Sequence, residues 1–226
     1  MTSIFAQALG EREFARLHPK IRERFGFSSA DGIASVGRGT MEEVRYAKWA
    51  ALPLAVGASR HIMFPDAGRH IPFTIENYAY RDALGRETLT INRTFRFAKR
   101  LRRFDATMIY SAGRGRIVDF LGNRQHLAVD LDVWAAPNGG IQIRSGEQRF
   151  YEGPLGFRFP APLTGFADVC EWYDDVDACY RISVSVRNPL LGVIFAYKGA
   201  FQAETARTGR DAIPLQAMPL RLERRD

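Results

Sequence analysis

Leu89-Thr90-Ile91-Asn92-Arg93-Thr94-Phe95-Arg96-Phe97 alternates with a period of two. Leu89, Ile91, Phe95 and Phe97 fall on one side, and Thr90, Asn92, Thr94 and Arg96 on the other. That is the pattern of a β-strand with one face on a core. Arg93 breaks it, because it lies on the apolar side between Ile91 and Phe95. A guanidinium cannot shed its proton, so this position is costly unless a carboxylate or a ligand anion meets the charge. The stretch therefore predicts β-structure with an enclosed side, and a cation on that side.

The same rhythm extends outward in both directions. Strands are predicted over 72–80 and 87–97, joined by Asp82-Ala83-Leu84-Gly85, and over 104–110 and 116–121, joined by Ser111-Ala112-Gly113-Arg114-Gly115. Further strands are predicted over 126–134 and 141–151, joined by Pro137-Asn138-Gly139-Gly140, then over 169–173, 180–186 and 194–202. A Gly-containing strand over 32–44 precedes them. Short strands separated by Gly- and Asn-bearing turns indicate an antiparallel meander. A sheet of that length must curl, close or be covered to protect its edges. Upstream, Ile4, Phe5, Ala8, Leu9, Phe14, Leu17, Ile21 and Phe25 recur at helical spacing, and His18-Pro19 divides them into two short helices. The fold class expected is mainly β (α+β): a curled antiparallel meander forming a barrel-like or clam-like sheet with short N-terminal helices (1–27) packed on it. One domain is expected over 1–203, with a loosely ordered C-terminal tail over 204–226.

Of the 226 residues, 46% are apolar and 25% charged, a globular composition, and sixteen Phe suit sheets better than helices. The net charge of +7 would attract an anionic partner, but much of it comes from 93–103 and from Arg221-Leu222-Glu223-Arg224-Arg225. No nucleic-acid-binding module accompanies it, so no nucleic-acid partner is expected. No secretory signal is read at the start, and the apolar run 49–58 is too short to span a bilayer and contains Pro53. The localisation expected is cytoplasmic, with Cys170 and Cys179 as thiols that could oppose each other across their hairpin. The run 49–58 is read as a helix on the sheet, with two sharper alternatives: a lid over an open barrel end, or a peripheral membrane contact flanked by Arg45, Lys48 and Arg60.

Arg93 has company. Asp119 lies between Ile117 and Leu121, and Glu171 between Val169 and Tyr173, each on an apolar strand face. Glu76 shares a face with Thr74, Tyr78 and Tyr80, beside Asn77, and Asp105 shares one with Thr107 and Ile109. If the sheet closes, several of these groups can converge. The candidate ligand-binding set is therefore Arg93, Glu76, Asn77, Asp105, Asp119 and Glu171, with no catalytic residue, metal ligand or cofactor expected. The four histidines lack metal-ligand spacing, and Asp174-Asp175-Val176-Asp177 lacks the Gly and distal Glu of a calcium loop. The glycines of Gly37-Arg38-Gly39 and Gly113-Arg114-Gly115 do not form a dinucleotide fingerprint.

Leu17-His18-Pro19-Lys20-Ile21, Met63-Phe64-Pro65 and Pro72-Phe73-Thr74-Ile75-Glu76-Asn77-Tyr78 occur here in order. So do Arg103-Phe104-Asp105-Ala106-Thr107-Met108-Ile109-Tyr110, Ile117-Val118-Asp119-Phe120-Leu121-Gly122 and Ser145-Gly146-Glu147-Gln148-Arg149-Phe150-Tyr151-Glu152-Gly153. Together they resemble the bacterial family called domain of unknown function 4166 (DUF4166), from about Phe14 to Phe201. The resemblance carries over no activity and no catalytic residue. Members of that family are sometimes the C-terminal partner of a saccharopine-dehydrogenase-like reductase or of a membrane segment. The resemblance therefore implies a binding or accessory role, with an oxidoreductase as the partner.

The leading expectation is a non-enzymatic domain that binds a small, largely apolar or amphipathic ligand with a polar or acidic head, met by Arg93 inside the curled sheet. One alternative is an enzyme pairing Glu76 and Glu171 as acid and base. Another is an accessory module that docks an oxidoreductase or an anionic membrane surface through Arg96, Lys99, Arg100, Arg102 and Arg103.

Overall fold

A computed structural model describes residues 2–160, 162, 164–208 and 212–226. Two helices open the chain, α1 (Ile4–Ala15) and α2 (Pro19–Phe25). The Ser3 hydroxyl caps α1 by accepting from the Ala6 N–H at 3.1 Å. Pro19 starts α2, where its missing N–H leaves no bond unmade. Then follow β1 (Ile33–Tyr46), α3 (Ala51–Ser59), β2 (Gly68–Arg81), β3 (Glu87–Phe97), β4 (Arg100–Ser111), β5 (Arg116–Leu121), β6 (Leu127–Ala135), β7 (Ile141–Glu152), β8 (Leu155–Arg158), β9 (Phe166–Asp174), β10 (Cys179–Asn188) and β11 (Gly192–Arg207).

The strands run β6-β5-β4-β3-β2-β1-β11-β10-β9-β7, and β6 also pairs with β7. Ten strands thus form a closed antiparallel barrel, and β8 hangs on β7 outside the ring. The expected barrel-like sheet with short helices is what forms, and closure removes the exposed edges. The seam is β1, which pairs with β2 on one side and β11 on the other, with a bulge between Met41 and Glu43. Gly37 and Gly39 face inward there. A Cβ at Gly37 would come within 2.7 Å of Ile75 Cγ2 and Phe201 Cδ2, and one at Gly39 would overlap the Ala200 carbonyl and Phe201 Cα. The sharp coil of β1 over β11 therefore requires residues without side chains.

Alternate residues of each strand fill the interior. At one end Phe64 packs on Phe95 and Phe195, with ring centroids 5.1 and 5.0 Å apart, and Tyr197 meets Phe95 at 5.1 Å. At the other end Phe5, Leu9, Leu17, Ile21 and Phe25 of the N-terminal helices are buried in the same core. Each such side chain contributes roughly 1.5–3 kcal/mol by leaving water.

The C-terminal segment differs from the loose tail expected over 204–226. β11 runs on to Arg207, and much of 212–226 lies against the outside of β2–β6. Ile213 and Ala217 pack on Tyr78 and Tyr80. Asn92 Nδ2 donates to the Ala217 carbonyl at 3.0 Å, and the Leu220 N–H to the Asn123 carbonyl at 2.7 Å. The short strand β8 was also not expected, and the two cysteines do not oppose each other. Cys170 pairs with Ser183 and Cys179 with Asp174, so both remain thiols.

Replacing Gly39 by Val should lower the melting temperature by roughly 5–10 °C, because overpacking against backbone costs about 1–3 kcal/mol. Gly113→Ala, at an open turn position, should leave it unchanged. Calorimetry that finds the two variants equal would refute the tight seam.

Candidate functional site

Between the aromatic end and the helical plug lies a cavity of about 80 Å³. Its walls are largely apolar, from Ile75, Ile91, Phe104, Met108, Val129, Leu131 and residues facing them. Five polar side chains join them: Arg93 from β3, Asp119 from β5, Ser145 from β7, Glu171 from β9 and Tyr197 from β11. Strand parity puts them there. Arg93, Asp119 and Glu171 each interrupt an inward-facing apolar series, and barrel closure turns those series toward one another.

The cavity's two charged regions are handled differently. Glu171 accepts a hydrogen bond from Arg24 Nε, and both side chains are almost wholly buried. Arg24 also donates to the Ser35 hydroxyl at 2.9 Å, and its guanidinium carbon lies 4.9 Å from the Phe201 ring centroid. This is a structural ion pair with a stacked cation. It closes the cavity on the helix side.

Arg93 makes no such pair among the described residues. Its guanidinium carbon lies 4.8 Å from the Phe104 ring centroid, and its buried Nε has no hydrogen-bond partner. Asp119 Oδ1 and the Tyr197 hydroxyl are likewise buried and unpartnered. Burial pushes the Asp119 carboxyl up to about 7, and the Arg93 charge only partly opposes this. Burial raises the Tyr197 phenol too, with Arg93 pulling it down and Glu171 pushing it up. A cation, a carboxyl neutral below about pH 7 and a phenol thus face one small apolar space, each with unused hydrogen-bonding capacity.

The other candidate residues lie elsewhere. Glu76 is on the outer face of β2, where the Tyr78 hydroxyl donates to it at 3.3 Å. Glu76 and Glu171 therefore sit on opposite sides of the barrel wall, and the acid–base pairing expected of them is not formed. Asp105 is also on the outer face. It meets His61 Nδ1 at 2.7 Å and an Arg103 Nη at 3.0 Å, and its N–H donates to the His61 carbonyl at 2.9 Å, so it fastens the loop after α3. Asn77 does point inward and is fully buried, but beside Ser35 in register and off the cavity lining. Among the described residues no group of three or more His, Cys, Asp or Glu is placed to hold a metal ion. Nor is any described helix long and apolar enough to cross a membrane.

Arg24 and Tyr197 were not in the candidate set. Arg24 shares a helical face with Ile21 and Phe25 at i, i+3, i+4, which is the one sequence signal that marks it as inward. Tyr197 looks like any other aromatic on an apolar face.

The sequence profile described as Domain of unknown function (DUF4166) matches residues 17–201. A Bacillus subtilis (strain 168) protein, "Uncharacterized protein YndH", is 35% identical over 207 residues, which span 90% of this chain and 98% of that protein. Among solved structures, a trans-AT PKS dehydratase domain from Brevibacillus brevis aligns over 80% of this chain and 78% of that one, at 10% identity. Its TM-score of 0.19 supports no argument.

Two expectations follow from this geometry. Arg24→Met or Glu171→Gln alone should cost about 3–5 kcal/mol, because each strands a buried partner, whereas Arg24→Met with Glu171→Leu should recover much of the loss. Urea unfolding in which the double variant is as unstable as the sum of the single ones would contradict this. Asp119→Asn should be more stable than the parent at pH 8, by on the order of a few kcal/mol. The folded-state pKa is raised from 3.8 to about 7, so the parent bears the full cost of the buried charge above pH 7. It sheds that cost by taking up a proton as the pH falls toward 4, and the advantage of the Asn variant should shrink over that window. A difference that stays constant with pH would count against the assignment.

Proposed function

Because the chain belongs to the DUF4166 family, whose description names no activity, we propose a function from the geometry of the cavity: the barrel binds a small, largely apolar ligand with an acidic head. Arg93 meets the ligand's anionic oxygens, while protonated Asp119 and the Tyr197 hydroxyl donate to the same head group. The single observation that carries this reading is the three unpartnered groups, Arg93 Nε, Asp119 Oδ1 and Tyr197 Oη, around one apolar cavity. Arg24 and Glu171, by contrast, meet each other directly, whereas Arg93, Asp119 and Tyr197 meet no opposite charge or hydrogen-bond partner at these atoms. The cavity of about 80 Å³ is well below the 300–1,000 Å³ usual for drug-sized ligands. A short-chain carboxylic acid is therefore the ligand class of choice.

The raised Asp119 carboxyl also supports a second reading, general acid–base chemistry by a single carboxyl. Binding is the simpler function, because Arg93 and Asp119 then complement an anion without any further reacting group.

Titration calorimetry with a series of straight-chain carboxylic acids tests the proposal. Binding is expected to tighten as the pH falls from 8 to 6, because Asp119 changes from a repelling anion to a donor over that range. Arg93→Met should weaken it by about tenfold to a hundredfold, the value of a charge-assisted hydrogen bond. Asp119→Asn should abolish the pH dependence. If no acid binds, or if Arg93→Met binds equally well, the proposal fails.

A further inference from the structure

α3 stretches across the barrel end opposite the helical plug. The chain entering it is tied to β11 by the Ala47 N–H donating to the Ile194 carbonyl at 2.9 Å. The chain leaving it is tied to the β4 and β5 ends by bonds from Asp105 N–H to the His61 carbonyl and Asn123 N–H to the Arg60 carbonyl, both 2.9 Å. Its inner side packs normally, with Leu54 buried, as is Ala50 in the turn just before it. Its outer side is unusual for a surface helix. Leu52 and Val56 of α3, with Trp49 of the 3-10 turn (Lys48–Ala50) that leads into it, are 79%, 53% and 52% exposed, and no charged residue occurs between Lys48 and Arg60. Leu190 and Leu191, in the β10–β11 turn on the same rim, are exposed as well. Apolar residues scattered singly on a surface need no explanation, but a clustered face does.

The charges around this face are one-sided. The nearby carboxylates are already engaged, Asp66 by Arg102 at 2.5 Å and Arg100 at 3.6 Å, and Asp105 by His61 and Arg103. Lys48, Arg60, Lys99 and Arg187 form no ion pair among the described residues. An apolar face ringed by unpaired cations has the chemistry that complements an anionic lipid surface. A two-fold contact with a second copy would set these cations against themselves.

We infer that this end of the barrel docks on anionic phospholipid, with Trp49, Leu52 and Val56 entering the headgroup region and the rim cations lying against the phosphates. Each cation near such a surface strengthens binding about fivefold, and salt screens that part. The inference stands apart from the reading of the cavity, since neither Arg93 nor Asp119 takes part.

The test is sedimentation with vesicles of phosphatidylcholine alone, and of phosphatidylcholine with a third of phosphatidylglycerol. The full chain should bind the mixed vesicles, less so at high salt, and should leave the neutral ones free. Leu52→Glu with Val56→Glu, at exposed positions, should weaken binding at least about tenfold. Lys48→Glu with Lys99→Glu should weaken it and flatten the salt dependence. Arg93→Met should bind as the parent does, which keeps this test separate from that of the cavity. Absence of binding to the mixed vesicles, or binding that survives Leu52→Glu with Val56→Glu, would overturn the inference. So would a dimer in sedimentation velocity that the same pair of substitutions dissolves.

Discussion

Closure of the sheet is the constraint on which the other features depend. Ten strands in a ring turn alternate side chains toward a shared interior, where a charge is poorly hydrated and must be paired, stacked or neutralised. Three of these outcomes occur within one barrel. Arg24 and Glu171 pair, and Arg24 also lies against the Phe201 ring. Asp119 is driven toward its neutral form. Arg93 cannot be neutralised, and lies over Phe104 with hydrogen-bonding capacity to spare. On the outer face the same rule holds where the wall is covered: Arg149 and Asp130 are both buried and pair at 2.6 Å, with the more exposed Arg114 and Glu147 joining them.

Much of this was legible from alternation alone. A period of two reveals which residues share a face, and it assigned Arg93, Asp119 and Glu171 to apolar faces that turn out to be interior. It could not tell the inside face from a covered outside face. Glu76 and Asp105 look similar in sequence because their neighbours Tyr78, Tyr80, Thr107 and Ile109 are also buried, on the outer face of the wall. The burial comes partly from the C-terminal segment, whose irregular sequence carries no periodic signal for its role. Arg24 was missed for a related reason. On a seven-residue helix with four charged residues, one inward-facing cation is hard to distinguish from solvated ones.

The C-terminal segment gives the barrel a partial second layer. Glu223 illustrates how it is fixed: its N–H donates to Gln125 Oε1 at 2.5 Å, and its carbonyl accepts from an Arg86 Nη at 3.0 Å. Arg225 holds the Glu223 carboxylate at 2.7 Å. β5 thus carries an apolar cluster on its outer face, Val118 and Phe120, as well as the cavity on its inner one. Strands covered on both sides read as nearly continuous apolar runs, which is how Ile117-Val118-Asp119-Phe120-Leu121 reads apart from the single acid.

The seam strand has a consequence for how the chain is made. β1 is synthesised early, yet one of its two neighbours, β11, is the last of the described strands to emerge, and residues 33–46 pair with 195–207. Until then the growing meander is an open sheet with β1 as a free edge and its future interior facing water, the kind of nascent species that sticks to its neighbours. Inward-pointing charges are a known guard against edge-to-edge association. Arg93, Asp119 and Glu171 lie on that unfinished face. They sit on β3, β5 and β9 rather than on β1, so the β1 edge carries no inward charge of its own until β11 pairs with it.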